Sequence, residues 1–370
     1  MKNELTLANF TGFTIITLFF IVGASILVAQ NRTVGRRARM VFVGSCVALF
    51  WIALVDWFNW SFSSMFPTLG WFQSISTMLT FAVAPAIPVA ISQTIFPERH
   101  VKWVAVLLVL HALFQFASLF GGFVFWVDAN NAYHRGPLYI VYMIAYTASA
   151  IYLSVESIRA GRTYQSVNIS SILAILAVMF TGVGVQVFDG SIRTTWPAVA
   201  MAVILYFQFY TDMTLRTDAL TKLLNRHGYD EFLKQPRFPC AFVMIDVNDF
   251  KQVNDTYGHA YGDICLATVA NLLRKAYGES GLCYRTGGDE FVIIVHKHLD
   301  KIDAMNTTLQ QLLQKQQAAD ERIPGVSVGY AIAPADCPNV EAVIEEADQR
   351  MYEAKRAAKV GRGTQLVKAA

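Results

Sequence analysis

Long apolar stretches with few charges dominate the first 213 residues of the chain. Crossing the hydrocarbon core of a bilayer, about 30 Å thick, takes about 20 apolar residues in a helix. Seven stretches reach this length, and together they predict an all-α bundle of seven transmembrane helices over residues 1–213. The predicted spans are 9–29, 40–62, 71–95, 102–126, 137–156, 168–188 and 194–213.

Shorter elements of alternating type follow after Arg226. Their order predicts an α/β domain over residues 217–370, in which helices flank a mainly antiparallel sheet. No proline or glycine interrupts residues 207–224, which predicts a helical connector between the two parts. The predicted helices are 228–235, 259–276, 299–318 and 339–358, and the predicted strands lie near 239–246, 282–286, 290–296 and 325–333.

Composition agrees with a membrane protein. Hydrophobic residues make up 54% of the chain and charged residues 15%, with a mean hydropathy of +0.39. These values exclude an ordinary soluble protein. The net charge of +3 is too small to indicate a nucleic-acid partner. The five cysteines form no CxxC pair, which favours free thiols in a reducing cytoplasm.

Basic residues concentrate in the odd-numbered loops between the predicted spans. Because cytoplasmic loops of membrane proteins carry the excess of lysine and arginine, these loops are predicted to be cytoplasmic. With seven spans, the N-terminus then lies outside and the C-terminal domain inside, in a bacterial inner membrane. The basic residues of the first, third and fifth loops are Arg32, Arg36, Arg37, Arg39, Arg99, Lys102, Arg159 and Arg162.

A few polar side chains interrupt the predicted spans, where they are costly in lipid. Asp56 and Trp57 lie in the outward half of the second span, and His111 and Gln115 lie in the middle of the fourth. One interpretation is an outward-opening, aromatic-walled sensor pocket for an unknown small ligand or membrane signal. The other is structural, since tryptophans often form an interfacial belt and polar groups often make interhelical hydrogen bonds.

Two acidic stretches in the C-terminal part indicate a common site. Five apolar residues lead into Asp246, so a buried strand is expected to deliver this carboxylate at its C-terminal end. A later Gly-Gly pair between apolar runs predicts a tight hairpin with glycines at positive φ, which places Asp289 and Glu290 at the start of the returning strand. These acids, together with Lys251, suggest a hard divalent ion carrying a nucleotide polyphosphate.

Six motifs follow one another in this part of the chain: DALTKLLNR at 218–226, DVNDFKQVND at 246–255, YGHAYGD at 257–263, RTGGDEF at 285–291, VSVGYA at 326–331 and ADQRMYEAK at 347–355. With these motifs, residues 217–370 resemble a GGDEF domain, the catalytic domain of diguanylate cyclases. The resemblance implies a fold shared with class III nucleotide cyclases and polymerase palms. It also implies the condensation of two GTP molecules into cyclic di-GMP.

The same resemblance assigns metal binding and catalysis to the acids. Asp246, the backbone carbonyl of Val247 and Asp289 would hold two Mg²⁺ (or Mn²⁺) ions per GTP site, with Glu290 assisting. Asp289 would also take the proton of the attacking 3′-hydroxyl. Because the protein has little covalent work to do in phosphoryl transfer, catalysis is mainly positioning and charge neutralisation.

Phosphate contacts are implied for backbone amides at the start of a helix, for the lysine that follows them and for a basic pair near the C-terminus. The pair is spaced four residues apart and so shares a helix face. The family's usual ending also allows Arg362 in place of its second member. The implied phosphate contacts are Asp249, Phe250, Lys251, Lys355 and Lys359.

Guanine recognition is implied for Asn254 and Asp263, whose amide and carboxylate match the Watson–Crick edge of the base. Adenine would leave an unsatisfied buried polar group at a cost of about 1–3 kcal/mol, so GTP is expected over ATP. Arg285 either braces the hairpin or touches substrate. Product-inhibited relatives carry an RxxD motif upstream of the hairpin, whereas Gly278 and Gly281 occupy its positions here, so no inhibitory site is expected.

One GTP half-site per domain implies a homodimer whose activity depends on a signal at the membrane part. Two alternatives stay open at this point: a catalytically silent membrane receptor that binds GTP, and a cyclase that makes a different cyclic dinucleotide. The presence of Asp246, Asp289 and Glu290 favours an enzyme over the silent receptor.

Overall fold

The computed structural model of the protein describes residues 2–63, 65–95, 102–164, 169–188, 194–236 and 238–369. The chain divides into two compact units. The membrane unit contains residues 1–161 and 167–214, and the C-terminal unit contains residues 162–166 and 215–370.

Helices form most of the membrane unit. Among the described residues of this unit, six segments are long and apolar enough to cross a bilayer, and α3 and α4 both lie in one of them. The predicted span at 168–188 coincides with α7, but the described apolar part of this helix, Ser170–Gln186, is shorter. The helices are α1 (Lys2–Gln30), α2 (Arg36–Phe62), α3 (Gly70–Val83), α4 (Ala86–Ser92), α5 (Lys102–Gly121), α6 (Tyr139–Tyr164), α7 (Ile169–Phe188) and α8 (Thr195–Leu215).

The membrane unit also contains a short hairpin, so the prediction of an all-α bundle is wrong at this point. Strands β1 (Phe125–Val127) and β2 (Tyr133–Arg135) pair antiparallel. Helix α5 ends at Gly121 and Gly122 follows with φ of +64°, a conformation that ends helices and favours glycine. The predicted fourth span had included residues 122–126 because periodicity alone does not separate a short apolar strand from a helix.

The C-terminal unit is a five-stranded sheet with helices on both faces. Its strand order is β3-β5-β6-β4-β7, and all neighbouring pairs are antiparallel except β3 with β5. The prediction of a mainly antiparallel sheet is therefore confirmed. Its elements are β3 (Leu224–Asn225), α9 (Arg226–Lys234), β4 (Cys240–Val247), α10 (Phe250–Tyr257), α11 (His259–Tyr277), β5 (Gly281–Arg285), β6 (Glu290–Val295), α12 (Ile302–Ala319), β7 (Val326–Ala333) and α13 (Val340–Ala369).

Strand β4 lies between β6 and β7 in this sheet and is apolar on both sides. Val243 packs in the cluster formed with α11 and α12, whereas Phe242 packs on the other face with residues of α9 and α13. Burial on both faces explains why the strand reads as a continuous apolar run rather than an alternating one. On the neighbouring strand β7, Gly329 lies so close to α13 that an added Cβ would overlap the helix backbone.

The connector predicted as helical over 207–224 is helical only as far as Leu215. The next residues form a turn in which the Asp218 carboxylate accepts hydrogen bonds from the amide and the hydroxyl of Thr221 at 2.8 and 2.6 Å. The Asn225 side chain donates to the Leu215 carbonyl at 2.8 Å. Because these side chains satisfy the backbone at the helix end, the chain turns without proline or glycine.

Candidate active site

Asp246 lies one residue from the end of β4. Its partners across the sheet are Glu290 on β6 and Ser327 on β7. The residue is buried, because β4 has a strand on each side. The predicted proximity of Asp246 to the acidic hairpin is thus a consequence of strand register.

Lys355 on α13 lies directly over this carboxylate. Its Nζ donates to Oδ2 of Asp246 at 2.8 Å and lies 2.7 Å from Oδ1. Oδ1 is buried and has no partner in hydrogen-bond geometry among the described residues. Burial alone would lower the pKa of Lys355, but the hydrogen bond to Asp246 and the charges of Asp246, Asp289 and Asp249 raise it. The ammonium is therefore charged and faces a cluster of carboxylates.

The acidic hairpin connects β5 to β6 through residues 286–289. The amide of Val247 donates to the Asp289 carbonyl at 3.1 Å, which ties the hairpin to the end of β4. The prediction that its glycines need positive φ is wrong, since Gly122 and Gly258 are the positive-φ glycines of the described residues. At Gly287 an added Cβ would lie 2.7 Å from Oε2 of Glu290, which is the far end of an exposed side chain.

Arg285 braces the hairpin, which is one of the two roles that the sequence allowed. Its Nη2 donates to the Gly288 carbonyl at 2.8 Å, and its Nη1 donates to Asp218 Oδ1 at 3.1 Å. Burial raises the pKa of Asp218, but hydrogen bonds from Thr221 and the charge of Arg285 outweigh it, and the pKa is lowered. One ion pair therefore holds both the hairpin and the turn after α8.

The residues expected to contact phosphates differ in their surroundings. Asp249 has φ of 54° and precedes α10, so the amide of Phe250 lies at the start of a helix, where anions are favoured. Lys251 and Lys359 are exposed, whereas Lys355 is engaged with Asp246. The side chain of Arg362 lies outside the described residues.

The predicted guanine pair lies where α10 meets α11. Gly258 separates these helices with φ of +82°. Gly262 contacts the Asn254 side chain so closely that an added Cβ would overlap its Oδ1. Asp263 is the next residue and is exposed. Gly262 is a supporting residue that the sequence reasoning missed, although it lies within the YGHAYGD motif.

Asn248 is a further supporting residue, and its Oδ1 accepts a hydrogen bond from the Ser327 hydroxyl at 2.6 Å. The amide of Asn248 donates to the Gly325 carbonyl at 2.9 Å. Asn248 and Ser327 are both buried. This pair fixes the chain after β4 against β7, next to Val247, whose amide contacts the acidic hairpin.

The donor set at this edge of the sheet fits a hard divalent ion. Oδ1 of Asp246 is buried and has no partner in hydrogen-bond geometry among the described residues, although the Lys355 ammonium lies 2.7 Å away. Carboxylates are the ligands that Mg²⁺ prefers, and one or two of them usually act together with substrate phosphates. In the part of the chain that the structure describes, no three acidic, histidine or cysteine side chains converge on one point.

All four predicted sensor residues make structural contacts, and that of Asp56 is a hydrogen bond from Trp196 Nε1. Trp57 Nε1 donates to the Thr11 hydroxyl at 3.1 Å, and His111 Nε2 lies 3.0 Å from the Phe81 carbonyl. Gln115 Nε2 lies 3.4 Å from His111 Nε2. Asp56 is different, because it lines a cavity of the membrane unit.

Residues 215–360 match the family model described as diguanylate cyclase, GGDEF domain. This part of the chain is a GGDEF domain. The diguanylate cyclase DgcS of Shewanella oneidensis is 29% identical over 155 residues, which are 40% of this chain and 52% of DgcS. The probable diguanylate cyclase DgcI of Escherichia coli is 28% identical over 263 residues, 68% of this chain and 54% of DgcI. This chain spans about half the length of these two relatives.

Solved GGDEF domains are also similar to this chain. The GGDEF domain of DgcB from Caulobacter crescentus, in complex with c-di-GMP, is 26% identical with a TM-score of 0.32. The match covers 38% of this chain and 91% of that domain.

In this GGDEF domain, the positions of the RxxD motif have no room for side chains. Gly278 ends α11, and an added Cβ would overlap the Arg274 carbonyl. Gly281 begins β5, and an added Cβ would lie 2.6 Å from the Ile294 carbonyl. A larger side chain at either position would therefore require the neighbouring backbone to move.

Proposed function

We propose that the protein is a membrane-bound diguanylate cyclase that condenses two GTP molecules into cyclic di-GMP and two pyrophosphates. The observation that carries the proposal is the position of Asp246. This buried carboxylate lies opposite Glu290 and next to the Asp289 loop, with the Lys355 ammonium at 2.7 Å. The match of residues 215–360 to the GGDEF family supports it.

In this proposal, the acids bind and orient the reacting groups. Asp246, the carbonyl of Val247 and Asp289 hold the metal ions, Glu290 assists, and Asp289 takes the proton of the attacking 3′-hydroxyl. Two Mg²⁺ (or Mn²⁺) ions per GTP site would lower the pKa of that hydroxyl and stabilise the negative charge on the leaving oxygens. Most of the acceleration then comes from positioning and electrostatics.

The phosphates are held by cations and by amides. The amides of Asp249 and Phe250 and the side chain of Lys251 lie at the start of α10, where a helix favours negative charge. Lys355 provides a charge deeper in the site, and Lys359 or Arg362 provides a second one on α13.

Base selectivity rests on Asn254 and Asp263. Their amide and carboxylate match the acceptor and the N–H donors of guanine, whereas adenine leaves a buried group unpaired. An unpaired group costs about 1–3 kcal/mol, so GTP should bind about tenfold more tightly than ATP.

The proposed assembly is a homodimer in a bacterial inner membrane. Each GGDEF domain contributes one GTP half-site, so two copies must face each other for condensation. Seven spans, with the N-terminus outside and the GGDEF domain in the cytoplasm, agree with the basic odd-numbered loops. A signal sensed by the membrane unit then sets the rate of condensation.

Nucleotide discrimination provides the test of this function. Full-length protein in nanodiscs would be incubated with Mg²⁺ and GTP, ATP or an equal mixture, and the products identified by mass. The proposal is supported if the incubation with GTP yields cyclic di-GMP and the product from the mixture contains no adenine. A mixed product would identify a different cyclase, and GTP binding without any product would identify a silent receptor.

A further inference from the structure

The membrane unit encloses a cavity of about 170 Å³ whose walls are largely aromatic. Its lining includes Trp60, Phe81, Tyr142 and Trp196. The rings of Phe81 and Tyr142 stack in parallel, with 4.1 Å between centroids and 15° between planes. Such flat, rigid walls favour a ligand with a planar apolar body.

Two buried polar atoms on the wall lack partners. Gln73 is 5% exposed, and its Oε1 has no hydrogen-bond partner among the described residues. The hydroxyl of Tyr146 is also buried and has no hydrogen-bond partner among the described residues. Both residues line the cavity. Since unpaired buried polar groups are rare in folded proteins, two of them on one cavity indicate that its occupant forms hydrogen bonds.

Arg135 supplies the only guanidinium among the described lining residues. Its guanidinium lies 4.9 Å from the centre of the Tyr139 ring, and no described carboxylate forms an ion pair with it. The nearby Asp128 instead binds His134 at 3.1 Å. Arg135 is exposed, so it marks the open side of the cavity and presents an unneutralised cation there.

The acid on the wall is already engaged. Asp56 Oδ2 accepts a hydrogen bond from Trp196 Nε1 at 3.2 Å. The neutral indole leaves the negative charge of Asp56 in place, so the cavity lining carries one charge of each sign. Of the two groups, Arg135 is exposed and has no ion-pair partner among the described residues, and its planar guanidinium favours a carboxylate through paired N–H donors.

We propose that this cavity binds small aromatic carboxylates that carry a phenol or ring N–H. The carboxylate meets Arg135, the ring lies between the aromatic walls, and the donor satisfies Gln73. Binding itself does not depend on cyclase activity. Only the further step, that this ligand is the signal for the membrane unit, rests on the proposed function.

A matched set of probes tests each part of the proposal by calorimetry on full-length protein in nanodiscs. 4-Hydroxyphenylacetate has both features, tyrosol lacks the carboxylate, phenylacetate lacks the hydroxyl, and tyramine reverses the charge. We expect 4-hydroxyphenylacetate to bind best, and the loss of either feature to weaken binding about tenfold, the effect of one strong hydrogen bond.

Substitutions locate the binding in this cavity. Arg135→Gln should weaken the binding of 4-hydroxyphenylacetate about tenfold and leave the binding of tyrosol unchanged. Gln73→Met, which keeps the side-chain size, should remove the advantage of 4-hydroxyphenylacetate over phenylacetate. The exposed residues Arg37 and Gln208 provide matched controls as Arg37→Gln and Gln208→Met, which should have no effect.

Three results would overturn the proposal. They are binding of none of the four probes, tightest binding of tyramine, and binding that Arg135→Gln and Gln73→Met leave unchanged. Because the readout is heat of binding, an inactive cyclase domain does not produce any of them.

Discussion

The ion pair between Lys355 and Asp246 should stabilise the GGDEF domain as well as prepare its site. Lys355→Met removes the ammonium and keeps most of the apolar stem. A hydrogen bond to a charged group contributes about 1.5–3 kcal/mol, and an unpaired buried charge costs about 3–5 kcal/mol. The Asp246 side chain is 8% exposed, but that of Lys355 is 27% exposed, so water replaces part of the lost interaction. We expect a loss of about 2–3 kcal/mol in the free energy of unfolding.

Urea denaturation of a fragment that begins at Leu215, followed by circular dichroism in the presence of EDTA, measures this loss. The fragment contains the whole sheet and its two hydrophobic clusters. Lys359→Met is the matched control, because Lys359 is exposed on the same helix and surface substitutions usually change stability by less than about 0.5 kcal/mol. Equal stability of the two variants would refute the assignment of Lys355 as a partner of the buried carboxylate.

Three further predictions concern packing, acid sensitivity and product binding. Gly329→Ala should destabilise the fragment by about 1–3 kcal/mol in urea, because its Cβ overlaps the backbone of α13; an unchanged midpoint would contradict this. Asp218 has a lowered pKa, so its pairing with Arg285 stabilises the fold above the unfolded value of 3.8 and is lost as pH falls through the folded pKa. The stability difference between wild type and Asp218→Asn, measured by urea titrations, should therefore shrink below pH 3.8, and a constant difference would count against the ion pair. Because Gly278 and Gly281 replace the RxxD pair, cyclic di-GMP should not inhibit turnover through that surface; tight cyclic di-GMP binding there would disprove this.

Local patterns were sufficient where a residue's role depends on its own strand. The apolar run before Asp246 predicted β4, and the Gly-Gly pair predicted the turn before Glu290. Their juxtaposition followed once both strands joined one sheet, as the register of Asp246 with Glu290 shows. The positive φ expected of the glycines was wrong, because neither Gly287 nor Gly288 has it.

Contacts between distant segments could not be predicted in the same way. Lys355 reaches Asp246 from 109 residues away, and Arg285 reaches Asp218 across 67 residues. The first contact depends on the close approach of α13 to Gly329, which a hydrophobic pattern does not encode.

The end of a helix could not be predicted from the local pattern either. The connector lacks proline and glycine, so the sequence predicted that the helix continues past Leu215, whereas side chains of the following turn end it there. In the membrane unit, the cost of polar groups in lipid made Trp57, His111 and Gln115 candidates for a pocket or for structural contacts. Whether such a side chain faces a pocket depends on the rotation of its helix about the helix axis. In the structure Trp57 contacts Thr11, His111 contacts the Phe81 carbonyl and Gln115 contacts His111.

The most direct test of the proposed cyclase compares the full-length protein with its Asp289→Ala variant. Both would be reconstituted in nanodiscs, incubated with GTP and Mg²⁺, and their products separated and identified by mass, with EDTA as a metal-free control. The proposal predicts cyclic di-GMP from the wild type with Mg²⁺, and none from the variant or in EDTA. Equal amounts of cyclic di-GMP from both proteins would contradict the assigned role of Asp289, and the absence of product from the wild type would contradict the proposed activity.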